Sequence, residues 1–382
     1  MIKIRECCGN QKEGDISRRP VIINHDLRGC STEEELDKVS GLDAYSGRVL
    51  GISHREDIIQ FSPILKPNYD WVRDHFRRIG LKCSENIIWD KDFDVLKDYG
   101  DYDFSVFYFG EKIHGIRPDE KWFSIADRMN EKNFFIKKSR ELGLPTPKTF
   151  LFNSVEEIND LHVFPFPCYF KLSRSVSGMG VHKCAHFLEL AEQLAKIKPG
   201  VRFQIQEKAD SDCFISSQYR VTGGQLYFVA TTAQILKGDV HKGNYGPIEY
   251  DPRNVTDVLA QYMFECGMKG HFGIDMVVVK DNYDNNQYQL LECNPRFTGA
   301  SYPFFIAQRL GAKFWHGRGY DVDFTNLNDW NFDRSLEYDP KRKSGLVVFN
   351  WGCAINGTIG ILIVAQEKDE IEYYKKAIQK MI

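Results

Sequence analysis

Apolar and polar positions change period several times along the chain. YDWVRDHFRRIG (69–80) carries apolar residues at helical spacing and stops at a Gly, which predicts a helix. NIIW (86–89) and FSVFYFG (104–110) are short apolar runs that predict buried strands, and RVLGIS (48–53) reads as another. Buried strands flanking a helix have parallel character. Residues 120–142 read as one or two helices, closed by GLPTP (143–147), with Gly at the cap and Pro just beyond. PCYFKLS (167–173), RFQIQEK (202–208) and QLYFVATTAQIL (225–236) predict strands. FLELAEQLAKI (187–197) and NVTDVLAQYMFECG (254–267) predict helices. GLVVFNW, IGILIVAQ and a last Lys-rich segment predict one more sheet edge and its helical cover. Residues 1 to about 45 show few periodic runs and read as an irregular arm.

Two β-rich runs flank DNYDNN in GIDMVVVKDNYDNNQYQLLECNPR (273–296), which predicts a hairpin. With the turn centred between Tyr283 and Asp284, Asp275 falls directly opposite Glu292. Side chains two apart on a strand share a face, so Glu292, Asn294 and Arg296 read as one row. Like charges directly opposite on a sheet are destabilising. Two readings follow. The acids are a solvated pair balanced by nearby lysines, or the two carboxylates and the Asn294 amide are hard oxygen ligands for Mg²⁺.

YFKLSRSVSGMGVHKC (169–184) is a second candidate. Lys171 ends a strand, and Gly178 and Gly180 let the backbone approach a ligand closely. Ser173, Ser175 and Ser177 add donors. Neither GxxxxGK[ST] nor GxGxxG is present, and a plain flexible hairpin is the alternative. FQIQEKADSD (203–212) runs from a strand into Glu207 and Lys208. It is either a hinge whose backbone reads a base edge or a strand ending in a surface loop.

Composition narrows this only modestly. A chain of 382 residues has room for two or three domains, and 42% hydrophobic content argues for a globular protein. The formal net charge of −3 argues against a general nucleic-acid or membrane-surface binder. There is no 18-residue apolar run and no apolar core of signal-peptide length at the N-terminus, so the expectation is a cytoplasmic protein without membrane or nucleic-acid partners. Ten cysteines form no CxxC and do not cluster with His at zinc spacing, which predicts reduced, mostly buried thiols.

In their order and spacing these pieces resemble the ATP-grasp superfamily, over about residues 115–310. The resemblance implies an α/β (α+β) fold in which two α+β subdomains grip ATP, preceded by a small parallel α/β domain. The implied division is an arm at 1–45, a pre-ATP-grasp domain at 46–118 and an ATP-grasp domain at 119–382, with subdomains at 119–205 and 206–382. It also implies roles for particular residues. Lys132 and Lys171 would balance phosphate charge, and Ser177, Gly178 and Gly180 would form the phosphate loop. Glu207 and Lys208 would form the adenine hinge. Asp212, or next to it Asp210, would hold the ribose. Asp275, Glu292 and Asn294 would be the metal ligands. Arg296 completes an ExNxR pattern and would hold the reacting carboxylate, with a structural ion pair to Glu292 as its alternative role. The family has a mobile loop where this chain has QILKGDVHKGNYGP (234–247), and of Lys237, His241 and Lys242 there, Lys242 is preferred.

The implied activity is a carboxylate–amine ligase of the EC 6.3 type, using ATP and Mg²⁺, with Mn²⁺ as the alternative ion. The acceptors would be small molecules, and the final segments of the chain resemble peptide-forming members, which points to amino acids or short peptides. Tyr302, Phe304 and Phe305 either line a substrate pocket or form helix core. A non-amine acceptor, a kinase and a non-catalytic ATP-binding module stay open, as does a homodimer.

Overall fold

The first strand, β1 (Arg5–Glu6), is followed by four short strands that form a parallel sheet in this computed structural model, which describes residues 5–6, 20–30, 41–175, 180–238 and 240–382. These are β2 (Val21–Asn24), β3 (Ile58–Phe61), β4 (Asn86–Trp89) and β5 (Asp103–Val106), in the order β4-β3-β2-β5. Ile22, Ile59 and Phe61 are completely buried, as expected of parallel strands covered on both faces. The segment read as an irregular arm therefore contributes strand β2. RVLGIS is not a strand. It lies in a 3₁₀ helix, Leu42–Ile52, between β2 and β3. That helix is buried at Ser46 through Gly51 in succession, Arg48 included, so no helical period of apolar and polar positions marks it. Helix α1 (Lys66–Arg78) turns Val72, His75 and Phe76 inward.

The described chain divides into two compact units, each discontinuous in sequence. One comprises Met1–Glu6, Lys121–His241 and Tyr250–Pro295; the other comprises Cys7–Glu120, Lys242–Glu249 and Arg296–Ile382. The parallel sheet, α1 and α2 (Glu111–Ile116) belong to the second unit.

In the first unit, residues 120–142 form two helices, α3 (Glu120–Met129) and α4 (Lys132–Glu141). Strands β6 (Thr149–Phe152), β7 (Cys168–Leu172), β8 (Val181–Cys184) and β9 (Phe203–Glu207) form an antiparallel sheet in the order β6-β9-β7-β8. One face of it packs on α5 (Phe187–Leu194): Cys168, Phe170, Phe203 and Ile205 join Leu190 and Leu194 in a core cluster. Strands β10 (Phe214–Thr222) and β11 (Gln225–Lys237) form an antiparallel pair whose turn, Gly223-Gly224, has both residues at positive φ. Strand β1 runs parallel to β11.

QILKGDVHKGNYGP was expected to be a mobile loop. Its described residues instead continue β11 and enter β12 (Val240–Gly246). Helix α6 (Arg253–Glu265) leads into β13 (Gly270–Lys280) and β14 (Asn286–Asn294), and within this unit the strand order is β14-β13-β10-β11.

In the second unit, α7 (Ser301–Arg309) precedes β15 (Phe314–Asp321), β16 (Gly345–Asn350) and β17 (Thr358–Ala365), and residues 243–246 pair with β15. Helix α8 (Lys368–Met381) opens with a capping box between Glu367 and Glu370. Among the described residues no helix is long and apolar enough to cross a membrane. The cysteines at 83, 168, 184, 213, 266, 293 and 353 are free thiols.

Candidate active site

Asp275 and Glu292 lie directly opposite on β13 and β14, as expected, but by a different route. Near the turn the pairs are Lys280 with Asn286 and Met276 with Leu290, a register that would set Asp275 against Leu291. A bulge leaves Leu291 unpaired and shifts the register by one, and this brings the acids together. Asn294 reaches the same face and donates Nδ2–H to Asp275 Oδ2 at 2.9 Å. On the other side of Asp275, Ser216 of β10 is its cross-strand neighbour. The Ser216 hydroxyl is buried and has no hydrogen-bond partner among the described residues.

The lysines converge on this acid pair from far away in sequence. Lys132 is the first residue of α4, and its Nζ lies 3.4 Å from Glu292 Oε2 and donates to Ser175 Oγ at 3.2 Å. The helix start is fixed by Ser173, whose carbonyl accepts from the Lys132 N–H at 2.8 Å and whose hydroxyl accepts from the Asn133 N–H at 3.2 Å. Ser173, expected as a phosphate donor, is thus a buried tie between loop and helix. Lys171 donates Nζ–H to Gln206 Oε1 at 2.6 Å. Burial lowers its pKa to about 8. Lys132 pushes the same way, and Glu292 opposes both.

The sequence reading missed Gln204 and Gln206. On β9 they alternate with core residues Phe203 and Ile205, so they share a face with Lys171 and Tyr169 of β7. Both glutamines are buried. Gln206 also donates to Thr149 Oγ1 at 2.9 Å, whereas neither end of the Gln204 amide has a partner among the described residues. The signal was present: QIQ puts two amides on the face a strand would turn away from its core.

The remaining predicted residues are more scattered. Ser177 and Gly178 lie outside the described residues. Gly180 has φ +76°, and a Cβ there would stand 2.6 Å from Leu172 Cδ1, so both conformation and space require glycine. Glu207 ends β9 and Lys208 follows it. Their N–H groups are bonded to the carbonyls of Lys148 and Pro167, so a base edge would be read by other backbone groups of this bend. Asp212 is 96% exposed, with Lys208 Nζ at 3.8 Å, and Asp210 is exposed in the same loop. Lys242 and Arg296 belong to the second unit. Lys242 is half-buried on β12. Strand β14 ends at Asn294, so Arg296 does not continue the expected row. Its backbone bridges Tyr108 and its guanidinium lies 5.8 Å from the Phe107 ring centroid.

The set Asp275, Glu292 and Asn294 offers hard oxygen donors side by side, which fits Mg²⁺ or Mn²⁺. Among the described residues no group of three His, Cys, Asp or Glu side chains could hold a metal by itself, so the amide is a necessary part of such a set.

Residues 129–300 match the family model of the ATP-grasp domain. Carboxyaminoimidazole ribonucleotide synthase from Aspergillus clavatus, solved with ATP, superposes with a TM-score of 0.60 at 13% identity, covering 95% of this chain and 98% of that one. N5-carboxyaminoimidazole synthetase from Staphylococcus aureus, solved with ADP, superposes at 0.60 and 9% identity over 94% and 96%. Biotin carboxylase from Campylobacter jejuni superposes at 0.59 and 11% identity over 95% and 91%. At these identities the likeness establishes the fold. No curated protein sequence matches the chain.

Proposed function

We propose that this chain, which carries an ATP-grasp domain, is an ATP-dependent carboxylate–amine ligase acting in the cytoplasm on small molecules. The observation that supports it is the meeting of Lys132, Lys171, Asp275, Glu292 and Asn294 on one polar surface of the first unit. Phosphoryl transfer depends mainly on positioning and charge neutralisation, and this surface supplies both signs of charge. Lys132 and Lys171 would hold the nucleotide phosphates, and Asp275, Glu292 and Asn294 would hold a divalent ion, which when bound neutralises phosphate oxygens. A substrate carboxylate oxygen would attack the γ-phosphorus and ADP would leave. An amine would then attack the acyl carbon and expel phosphate. In this reading Arg296 orients the carboxylate through its planar fork, and Lys242 meets the transferred phosphoryl group. Amino acids or short peptides are the proposed acceptors. Bicarbonate belongs among the candidate carboxylates, because a structural neighbour, the biotin carboxylase domain of Hydrogenobacter thermophilus 2-oxoglutarate carboxylase, was solved with bicarbonate.

The test is phosphate release from ATP and Mg²⁺ with carboxylates and amines offered singly and in pairs. Release that requires a pair, with a coupled mass in the product, is expected. Glu292→Ala should lower it about a hundredfold or more while the protein stays folded. Release with a single carboxylate and no coupling would instead make the chain a kinase. Tight ATP binding without release from any pair would defeat the ligase reading.

A further inference from the structure

The parallel sheet reverses its strand order beside β2, with β3 and β4 on one side and β5 on the other. Open parallel sheets bind ligands outside the carboxyl ends of the strands at such a point. Here His25 follows β2 and Phe107 follows β5. His25 is fully buried, joined through Nδ1 to the Tyr302 hydroxyl at 2.8 Å and through Nε2 to Ser105 Oγ at 2.9 Å. Beside them Arg48 is only 7% exposed. Its guanidinium lies 4.2 Å from the Tyr302 ring centroid, 4.8 Å from Phe107 and 5.5 Å from Tyr45. Its Nε and Nη2 have no hydrogen-bond partner among the described residues.

A guanidinium does not lose its proton in a protein. Arg48 is therefore a buried cation with two unanswered N–H donors, and ring faces offset its charge only in part. Nε–H and Nη2–H lie along one edge of the guanidinium plane, and that edge can meet both oxygens of a carboxylate at once. Burial, reinforced by Arg48 itself, holds the His25 imidazole well below its ordinary pKa, so it brings no second positive charge. Arg296 also lies over the Phe107 ring. The Arg48 fork, walled by aromatic rings and a neutral imidazole, has the planar two-donor shape that matches a carboxylate.

We infer that Arg48 anchors a carboxylate carried by the amine-side substrate, which makes that substrate an amino acid or a short peptide rather than a simple amine. The inference rests on the ligase reading for the identity of that substrate, but the carboxylate site can be tested by itself.

The full-length protein would be titrated with L-alanine, glycylglycine, their C-terminal amides and inorganic phosphate, by calorimetry and thermal shift, alongside Arg48→Met and Arg48→Lys. Binding of L-alanine or glycylglycine but not of its amide is expected. Arg48→Met should weaken it about tenfold to a hundredfold, with Arg48→Lys in between and ATP binding unchanged. Without ligand, Arg48→Met should melt no lower than the natural chain, because it removes a buried unpartnered charge. A lower melting temperature with unaltered carboxylate binding would make Arg48 a structural cation and overturn the inference. Protection by phosphate alone, or by none of the probes, would overturn it as well. Carboxylate binding that depends on Arg48, with no phosphate release from any substrate pair, would uphold the site and remove the ligase reading.

Discussion

Lys132 and Lys171 in the first unit and Arg48 in the second are all cations drawn away from water, but their charges are met differently. Lys132 lies 3.4 Å from Glu292, and Lys171 has the Gln206 amide oxygen at 2.6 Å. Arg48 has aromatic ring faces and, among the described residues, no acceptor for its Nε and Nη2. An ammonium can respond to burial by releasing its proton, and Lys171 is already displaced toward that limit. A guanidinium has no such release, so its compensation comes from its surroundings, here assigned to a bound anion. The first surface holds a balanced set of charges that a nucleotide and its ion would rearrange. The second holds a fixed charge that an anion would complete.

The sharpest way to test this contrast is inside the second unit, which also contains a buried charge group with its partners. Glu337 accepts from His75 Nδ1 at 2.6 Å and from Arg78 Nη2 at 2.9 Å. The Val348 N–H donates to His75 Nε2, which fixes the neutral ring with its proton on Nδ1. Burial pushes the Glu337 carboxyl up, but the His75 and Arg78 hydrogen bonds outweigh it and hold the pKa at about 2. Because that value is depressed, the stabilisation is complete above the ordinary carboxylate range and fades as pH falls toward 2. Glu337→Ala should cost about 3 kcal/mol in chemical denaturation at neutral pH, whereas Arg48→Met should cost nothing. Equal losses would erase the distinction between a partnered and an unpartnered buried charge.

A smaller effect separates the lysine from the arginine. ATP affinity should fall about tenfold as pH rises through about 8, because the Lys171 ammonium loses its charge there. Lys171→Arg should flatten that profile. The folded chain releases this proton before the unfolded chain does, so Lys171 makes folding relatively more favourable as pH rises from about 8 toward the ordinary lysine value, and Lys171→Met should remove that slope. An unchanged ATP profile in Lys171→Arg would place the titrating group elsewhere. The smallest effect concerns Gln204. Gln204→Met removes a buried amide without partners and should stabilise the ligand-free chain by about 1 kcal/mol, read as a rise in Tm. A fall in Tm would mean that the amide is structurally satisfied.

Local pattern carried much of this architecture. Alternation is a property of a single strand, so the hairpin at 273–296 and the facing acids were legible in the sequence. The same holds for Lys171, placed by a strand end, whereas Lys132 was reached only through the family resemblance. Pattern failed where burial is all-round or where polar residues serve an interior face. RVLGIS is a buried 3₁₀ helix because its neighbours cover every side, and QIQ on β9 carries amides that only the opposite core face explains. Arg296 was read as part of a strand that ends two residues earlier.

The sequence by itself determined which segments could pair, which face of each strand would be polar, and that acids, lysines and a glycine-bearing loop occur in an order suited to ATP. Only the tertiary structure decided the register at the acid pair, through a bulge at Leu291 that no local preference specifies. It alone brought Lys132 to Glu292 and left Arg48 among three rings, its Nε and Nη2 without an acceptor among the described residues. The reason is physical. Periodicity reports how a side chain leaves its own backbone, whereas burial and charge compensation depend on what other elements bring to it.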